Sequence, residues 1–223
     1  MPDAPRPCDP HLDIVGFTHP LRHFKDALKC RRKVKVVAIG SSSTAGADGV
    51  LPFPPILEML LRQKFYGRMI DVINRGIGGQ EAPEELSRFE SDAIGEVPSL
   101  LIWQVGTNAV YRNLDYNPVE VAAAIEVGLD LLADLPIDVV LMDLQYTRVL
   151  VDEIVRSEDM VSRIAAAGAK AEVNVFRRFA LMRRWNRDGV PLQELDDGGR
   201  LHTSKWATNC VAAALSEAIA AAV

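Results

Sequence analysis

The sequence contains few cysteines and no long apolar run. Its three cysteines, Cys8, Cys30 and Cys210, are spread over 223 residues. None are paired at the spacing of zinc ligands, so a metal site is not expected. No segment approaches the roughly 18–20 apolar residues that a membrane span needs. We therefore expect no integral membrane contact.

The sequence also has fewer basic residues than acidic ones. The chain has 25 Lys and Arg residues against 30 Asp and Glu residues, which gives a net charge of -5. No basic stripe stands out, so nucleic acid is not the expected partner. The densest basic cluster, "KCRRKVK" at Lys29 to Lys35, is predicted to be a solvated segment leading into the first strand.

A signal peptide is not visible either, because the N-terminus lacks the apolar centre that such a segment has. Two interpretations of the compartment follow: a cytoplasmic protein, or an exported one whose leader was removed. Cys8 lies in a Pro-rich segment that could fold back onto the terminal helix carrying Cys210. A disulfide between the two would imply export.

Short apolar runs alternate with helical segments along most of the chain. The runs are β-branched and bounded by Gly, Asn or Asp, which is typical of strands buried on both faces. They lie at Val34–Ile39, Ile70–Ile73, Leu100–Val105, Ile137–Met142 and Val173–Phe176. Helices are predicted between and after them, at about 54–66, 83–94, 118–135, 158–169 and 204–221.

This alternation predicts an α/β three-layer sandwich. We expect a flavodoxin-like, five-stranded parallel sheet in the order 2-1-3-4-5, with helices on both faces. Length and composition suit one domain at residues 34–223, preceded by an N-terminal extension at residues 1–33. Chemistry in such sheets occurs beyond the carboxyl ends of the strands.

Four loops at that edge therefore hold the candidate residues. "GSSSTAG" follows the first strand and places hydroxyl groups before a helix, where backbone N–H groups stabilise negative charge. It is not a P-loop, since the Lys is missing, and it is not a GxSxG elbow, since Thr44 takes the second Gly position. "NRGIGGQE", "QVGTNAV" and "DLQYTRV" follow the next three strands.

Only one of the four histidines, His202, lies within the repeating fold. It stands in the Gly-rich loop "DDGGRLHTSKW", at the same edge of the predicted sheet as the serine loop. An imidazole that is neutral near pH 7 is a suitable base for a hydroxyl, and a carboxylate can hold its tautomer.

Taken together, these loops resemble the blocks of the SGNH hydrolases, the GDSL-type esterases and lipases. Their first block, Gly-Asp-Ser-x-Thr-x-Gly, aligns with Gly40 to Gly46 and implies that Ser42 is the nucleophile. Their second block, an Asn followed by a Gly, implies that Gly79 donates a backbone N–H. Their third and fourth blocks imply roles for Asn108 in the oxyanion hole and for His202 as the base.

Three positions depart from the family pattern. Ser41 replaces the Asp of the first block, and Ala109 replaces the Asp that ends the third. Gly199 stands three residues before His202, where the family has the Asp of its triad. Asp197, five residues before His202, is the candidate replacement, and Asp196 precedes it.

The predicted function is hydrolysis of carboxylic esters through a Ser-His(-Asp) acyl-enzyme mechanism, without a metal or organic cofactor. The resemblance implies a small-molecule substrate: a small acyl ester, an acetylated sugar or a lysolipid. Two alternatives remain from the residues alone. One is a catalytically impaired binding protein, which Gly199 favours. The other is a flavodoxin-like module that holds FMN through the Ser/Thr loop and one of its tryptophans.

Overall fold

The computed structural model describes residues 6–46 and 49–223. All strands of its single sheet run parallel, in the order β2-β1-β3-β4-β5. The predicted fold class and strand order are confirmed. The strands are β1 Lys33–Gly40, β2 Met69–Gly76, β3 Leu100–Gln104, β4 Asp138–Met142 and β5 Asn174–Phe176.

The burial of each strand follows from its place in the sheet. Every residue of the central strand β3 is buried, because helices cover both of its faces and strands flank both of its edges. The edge strand β2 instead exposes Met69 and half-buries Asp71 and Ile73. An uninterrupted apolar run in the sequence therefore indicates a strand that is covered on both faces.

Helices cover the two faces of the sheet in separate groups. α4 packs against α13 and β2 on one side, while α8 packs against α5 and α10 on the other. The helices are α1 Leu12–Val15, α2 Arg22–Cys30, α3 Ser42–Ala45, α4 Phe53–Lys64, α5 Ala82–Ser87, α6 Phe89–Asp92, α7 Thr107–Tyr111, α8 Pro118–Leu132, α9 Arg148–Asp152, α10 Ile154–Lys170, α11 Arg178–Arg187, α12 Leu192–Leu195 and α13 Lys205–Ala221, with a 3₁₀ turn at Ile94–Glu96. None of these is both long and apolar enough to cross a bilayer.

The prediction of one helix over residues 83–94 is wrong. Two short helices, α5 and α6, meet at Arg88 instead. The Arg88 guanidinium donates to the carbonyl oxygen of Arg75 at 2.7 Å and to Gln80 Oε1 at 2.8 Å. These contacts with the end of β2 and with the loop after it compete with a continuous helix, and sequence periodicity carries no sign of them.

The segment before β1 packs onto the same core as the sheet. Val15, Leu21 and Phe24 are at most 1% exposed, and the Phe24 N–H donates to Asp138 Oδ2 at 2.8 Å. A disulfide joins Cys8 to Cys210 of α13. Residues 1–5 lie outside the described part, and the boundary placed after residue 33 stays a prediction.

Candidate active site

Ser42 lies at the carboxyl end of β1, as the first residue of the short helix α3. Its backbone N–H has no acceptor among the described residues, as expected in the first turn of a helix. Ser41, just before it, is buried, and both its N–H and its hydroxyl donate to Gln104 Oε1 at 3.2 and 3.1 Å. Ser41 thus ties the serine loop to β3, from the position where GDSL sequences have Asp.

His202 faces this serine. Its Nε2 lies 2.8 Å from Ser42 Oγ, although 160 residues separate them along the chain. Both side chains are partly exposed, so a substrate can reach them. The structure therefore brings together the two residues on which the sequence-based hypothesis depends.

Asp197 lies on the other side of the imidazole. Its Oδ2 is 3.6 Å from His202 Nδ1. A small hairpin produces this arrangement, because the Asp197 N–H donates to the His202 carbonyl at 2.9 Å. The Asp197 Oδ1 accepts from the Gly199 N–H at 2.9 Å, which fixes the carboxylate. The turn of the hairpin needs the positive φ of Gly198, +86°.

Asp196 has a different partner. Its carboxylate accepts two hydrogen bonds from Arg148, both of 2.7 Å, and its side chain is fully buried. Burial tends to raise the pKa of Asp196, but the Arg148 hydrogen bonds outweigh it, so the pKa is lowered. Of the two neighbouring acids, only Asp197 faces His202.

Gly79 lies in a tight turn beside the serine. The turn runs from Ile77 to Gln80, whose N–H donates back to the Ile77 carbonyl at 3.4 Å. Gly79 has a φ of +82° while Gly78 has a negative one, which is the pattern of a type II turn. A Cβ on Gly78 would lie 3.9 Å from Ser42 Cβ. The Gly79 N–H has no acceptor among the described residues.

Asn108 is held next to this turn. Its side chain is 4% exposed, and Nδ2 donates to the Gln80 carbonyl at 2.7 Å. A primary amide has a second N–H, which this contact leaves available. The described residues thus offer backbone N–H groups on Ser42 and Gly79 and a side-chain N–H on Asn108 as oxyanion donors.

Glu81 fixes the loop that carries Asn108, a role that the sequence analysis missed. This buried carboxylate accepts from the backbone N–H groups of Gly106, Ala109 and Ala82, at 2.8, 3.0 and 3.0 Å. Burial raises the pKa of Glu81, against those hydrogen bonds. In the sequence, a Glu before a helix indicates an ordinary N-cap. The pattern therefore gives no sign that Glu81 also binds the loop that carries Asn108.

The loop after β4, in which the sequence suggests Gln145 as part of a pocket wall, instead supports the histidine loop. Gln145 and Thr147 are fully buried, and both donate to the Leu201 carbonyl, at 3.1 and 2.9 Å. The buried guanidinium of Arg178 donates to Gln145 Oε1 at 2.8 Å. The loop after β4 therefore positions His202 through its neighbour.

All three tryptophans have aromatic partners within the fold. Trp103 is fully buried and packs edge-on against Phe89. Trp185 and Trp206 pack against each other, and their ring N–H groups donate to backbone carbonyls of the N-terminal segment. The described residues hold no cluster of acidic, His or Cys side chains that could bind a metal ion.

Comparison with protein families decides the assignment. The profile of the non-GDSL lipase-like family matches residues 7–223, nearly the whole chain. The chain belongs to this family. The sequence-based assignment to the SGNH hydrolases is thereby confirmed, and family membership supports carboxylic ester hydrolysis as the class of activity. No protein of curated function matches this non-GDSL lipase-like chain significantly.

Solved structures share the fold at low sequence identity. A catalytic mutant of an acetylxylan esterase from Geobacillus stearothermophilus is 19% identical, with a TM-score of 0.71 over 83% of this chain and 94% of its own. A lipase/acylhydrolase from Enterococcus faecalis is 20% identical, with a TM-score of 0.70 over 84% and 95%. A protein from Parabacteroides merdae described as a GDSL-like lipase is 12% identical, with a TM-score of 0.77 over 86% and 97%.

Proposed function

We propose that this protein is a serine esterase in which Ser42 is the nucleophile and His202 the general base. The 2.8 Å separation of Ser42 Oγ and His202 Nε2 carries the proposal. With Nδ1 protonated and facing Asp197, Nε2 is free to accept the serine proton. Asp197 then holds the tautomer and stabilises the imidazolium that forms, in place of the acid missing at Gly199.

The reaction proceeds in two halves. As Ser42 Oγ attacks the ester carbonyl, its proton moves to His202 Nε2 and a tetrahedral oxyanion forms. The N–H groups of Ser42, Gly79 and Asn108 bind that oxyanion, and each such donor is typically worth about 10²–10³ in rate. His202 protonates the leaving alcohol as the carbon–oxygen bond breaks. Water then attacks the acyl-enzyme with the same base, and the acid and free Ser42 are released.

We propose short acyl esters of polar alcohols, such as acetylated saccharides, as the substrate class. Next to Ser42, the site is formed by the turn of Gly78 and Gly79 and by the Asn108 amide. These groups offer hydrogen bonds rather than apolar area, which suits a hydroxylated leaving group better than a long acyl chain. The acetylxylan esterase fold relative is consistent with this preference.

Labelling with a fluorophosphonate probe, followed by mapping of the modified residue, tests the proposal. We expect the label on Ser42, and loss of both labelling and 4-nitrophenyl acetate hydrolysis in Ser42→Ala. The matched control is Ser43→Ala, because the Ser43 hydroxyl is buried and has no hydrogen-bond partner among the described residues. Hydrolysis that survives in Ser42→Ala would refute the assignment.

A folded protein that takes no label and hydrolyses no ester would instead support the catalytically impaired alternative. Comparison of acetylated oligosaccharides with 4-nitrophenyl esters of increasing chain length tests the substrate class. We expect kcat/KM to fall as the acyl chain lengthens beyond a few carbons. A preference for long chains would contradict the polar-ester proposal and leave the nucleophile assignment standing.

A further inference from the structure

The turn that presents the Gly79 N–H has little intrinsic rigidity. Two adjacent glycines occupy its centre, and glycine has more backbone freedom than any other residue. The hydrogen bond that closes the turn, from the Gln80 N–H to the Ile77 carbonyl, is long at 3.4 Å. An oxyanion donor has to be held within about 0.5 Å of its working position. The rigidity must therefore come from contacts outside the turn.

Two side chains supply such contacts, and both act on the same atom. The Tyr116 hydroxyl lies 2.9 Å from the Gly79 carbonyl oxygen and donates to it. Nη1 of Arg112 donates to that oxygen as well, at 3.3 Å. Arg112 is itself held by Asp115, whose Oδ2 accepts from Nε at 2.9 Å. Together they fix the peptide that follows the Gly79 N–H.

The position of these residues in the chain links this clamp to the other oxyanion donor. Asn108 belongs to α7, and Arg112 and Tyr116 belong to the turn that follows α7 directly, where the Tyr116 N–H donates to the Arg112 carbonyl at 3.1 Å. One continuous segment therefore holds the Gly79 carbonyl, the Gln80 carbonyl and the Asn108 amide. The relative position of the two donors is set by that segment.

We propose that Tyr116 and Arg112 are positioning residues that hold the Gly79 N–H in the oxyanion hole. The inference rests on the proposed function, since it concerns the same site. Neither side chain touches the reacting atoms, so each acts through the backbone of Gly79. Burial and the neighbouring Glu84 carboxylate raise the pKa of Tyr116 to about 12. The hydroxyl consequently stays protonated as a donor throughout the neutral pH range.

Glu84 competes for the same proton. Its Oε1 lies 3.1 Å from the Tyr116 hydroxyl, slightly further than the Gly79 carbonyl. In Glu84→Gln, the new amide can donate to the tyrosine oxygen, while its carbonyl still accepts from the Glu81 N–H. The hydroxyl proton then goes to Gly79 alone. We expect this variant to raise kcat, whereas a lower kcat would contradict the proposed direction of the Tyr116 hydrogen bond.

The main test compares Tyr116→Phe with the parent, using 4-nitrophenyl acetate as substrate and phenylboronic acid as a mimic of the tetrahedral state. We expect kcat to fall about tenfold with KM unchanged, less than the 10²–10³ lost with a whole donor. Boronic acid affinity should fall by a similar factor. The matched control is Tyr111→Phe, an exposed tyrosine on α7, whose kinetics should equal those of the parent.

A double-mutant cycle separates positioning from simple stability. Arg112→Ala and Tyr116→Phe remove two donors from one oxygen, so the combined loss in kcat should exceed the product of the single losses. Thermal unfolding of Tyr116→Phe should stay close to that of the parent. Independent effects in the cycle, or a kcat loss that only follows a fall in melting temperature, would overturn the inference.

Ser42→Ala, measured in the same assays, keeps this inference distinct from the proposed function. If Ser42→Ala retains hydrolysis, the proposed function fails, whatever Tyr116 does. If Ser42→Ala is inactive while Tyr116→Phe keeps the parental kcat and boronic acid affinity, the serine mechanism stands and the positioning role is refuted.

Discussion

Asp197 and His202 face each other across a hairpin that closes through their own backbones. The Asp197 N–H donates to the His202 carbonyl at 2.9 Å, and their side chains approach to 3.6 Å. Two residues five positions apart thereby reach a pairing that the sequence pattern places three positions apart. The hairpin thus brings a carboxylate to the imidazole although residue 199 is a glycine.

Asp197→Asn should lower kcat without unfolding the protein. Loss of the orienting acid in a related triad costs about 10⁴ in turnover, and at 3.6 Å we expect about 10²–10³. Steady-state kinetics on 4-nitrophenyl acetate measure the effect. The matched control is Asp196→Asn, which should lose about 2 kcal/mol of stability through Arg148 and keep most of its kcat. A larger kcat loss in Asp196→Asn than in Asp197→Asn would reverse the assignment.

Substitution of the two buried glutamates, Glu81 at the N-cap of α5 and Glu85 within it, should destabilise the protein to different extents. Glu81→Ala leaves buried N–H groups of Gly106 and Ala109 without acceptors, and we expect it to cost about 3 kcal/mol and to lower kcat through Asn108. Burial and the neighbouring Glu81 raise the pKa of Glu85 well above its usual range. Glu85→Gln keeps an oxygen that can accept from Trp103 Nε1 and removes a carboxyl group whose charged form burial disfavours, so it should cost under about 1 kcal/mol. Urea unfolding measures the stability of the two variants. Equal losses in the free energy of unfolding would contradict the different roles of Glu81 and Glu85.

The Cys8–Cys210 disulfide should dominate stability under oxidising conditions. It closes a loop of 202 residues, for which a chain-entropy argument gives about 5 kcal/mol. We expect Cys210→Ser to lower the free energy of urea unfolding by this amount. The unfolding free energy of this variant should not change further when dithiothreitol is added. Cys30→Ser, at an exposed free thiol, is the control. Three free thiols in the denatured parent protein, titrated without reductant, would disprove the disulfide. The compartment stays a prediction.

Asp143 should make stability fall as the pH rises toward neutrality. Its complete burial raises its pKa to about 7, against hydrogen bonding from Phe179 and the charge of Arg178. Because the folded pKa exceeds the unfolded one near 4, the stabilisation is complete below about pH 4 and is lost through pH 7. The upper limit of the loss is about 4 kcal/mol. Asp143→Asn should flatten the profile of unfolding free energy between pH 5 and 8, and an unchanged slope would contradict the assignment.

Much of the fold was accessible from local patterns. The runs around Val36, Ile102 and Val140 predict strands because a strand covered on both faces needs an apolar residue at every position. The predicted starts at 118 and 204 agree with α8 and α13, which Asn117 and Ser204 cap through local hydrogen bonds. The break at Arg88 was not predictable, because its hydrogen-bond partners lie in β2 and in the loop that follows it.

The site divides in the same way. Four candidate residues each lie within a recognisable sequence block: Ser42, Gly79, Asn108 and His202. The parallel strands bring those blocks to one edge of the sheet. The catalytic roles of these residues remain proposals. Glu81, Gln145 and Tyr116 carry no such mark, because their contacts depend on how separate loops pack. A buried hydrogen bond leaves no periodic trace in the chain.

The sequence by itself determined the layered fold, the order of its strands and the loops that meet at the active edge, since hydrophobic periodicity and turn chemistry are local. Asp197 was the candidate from the sequence, but only the tertiary structure shows which of the two acids lies beside the imidazole. The placement of the two carboxylates depends on the register of the hairpin and on the pairing of Arg148 with Asp196, which leaves Asp197 beside the imidazole. Both the register and the pairing are contacts between separate segments, which no single stretch of sequence encodes.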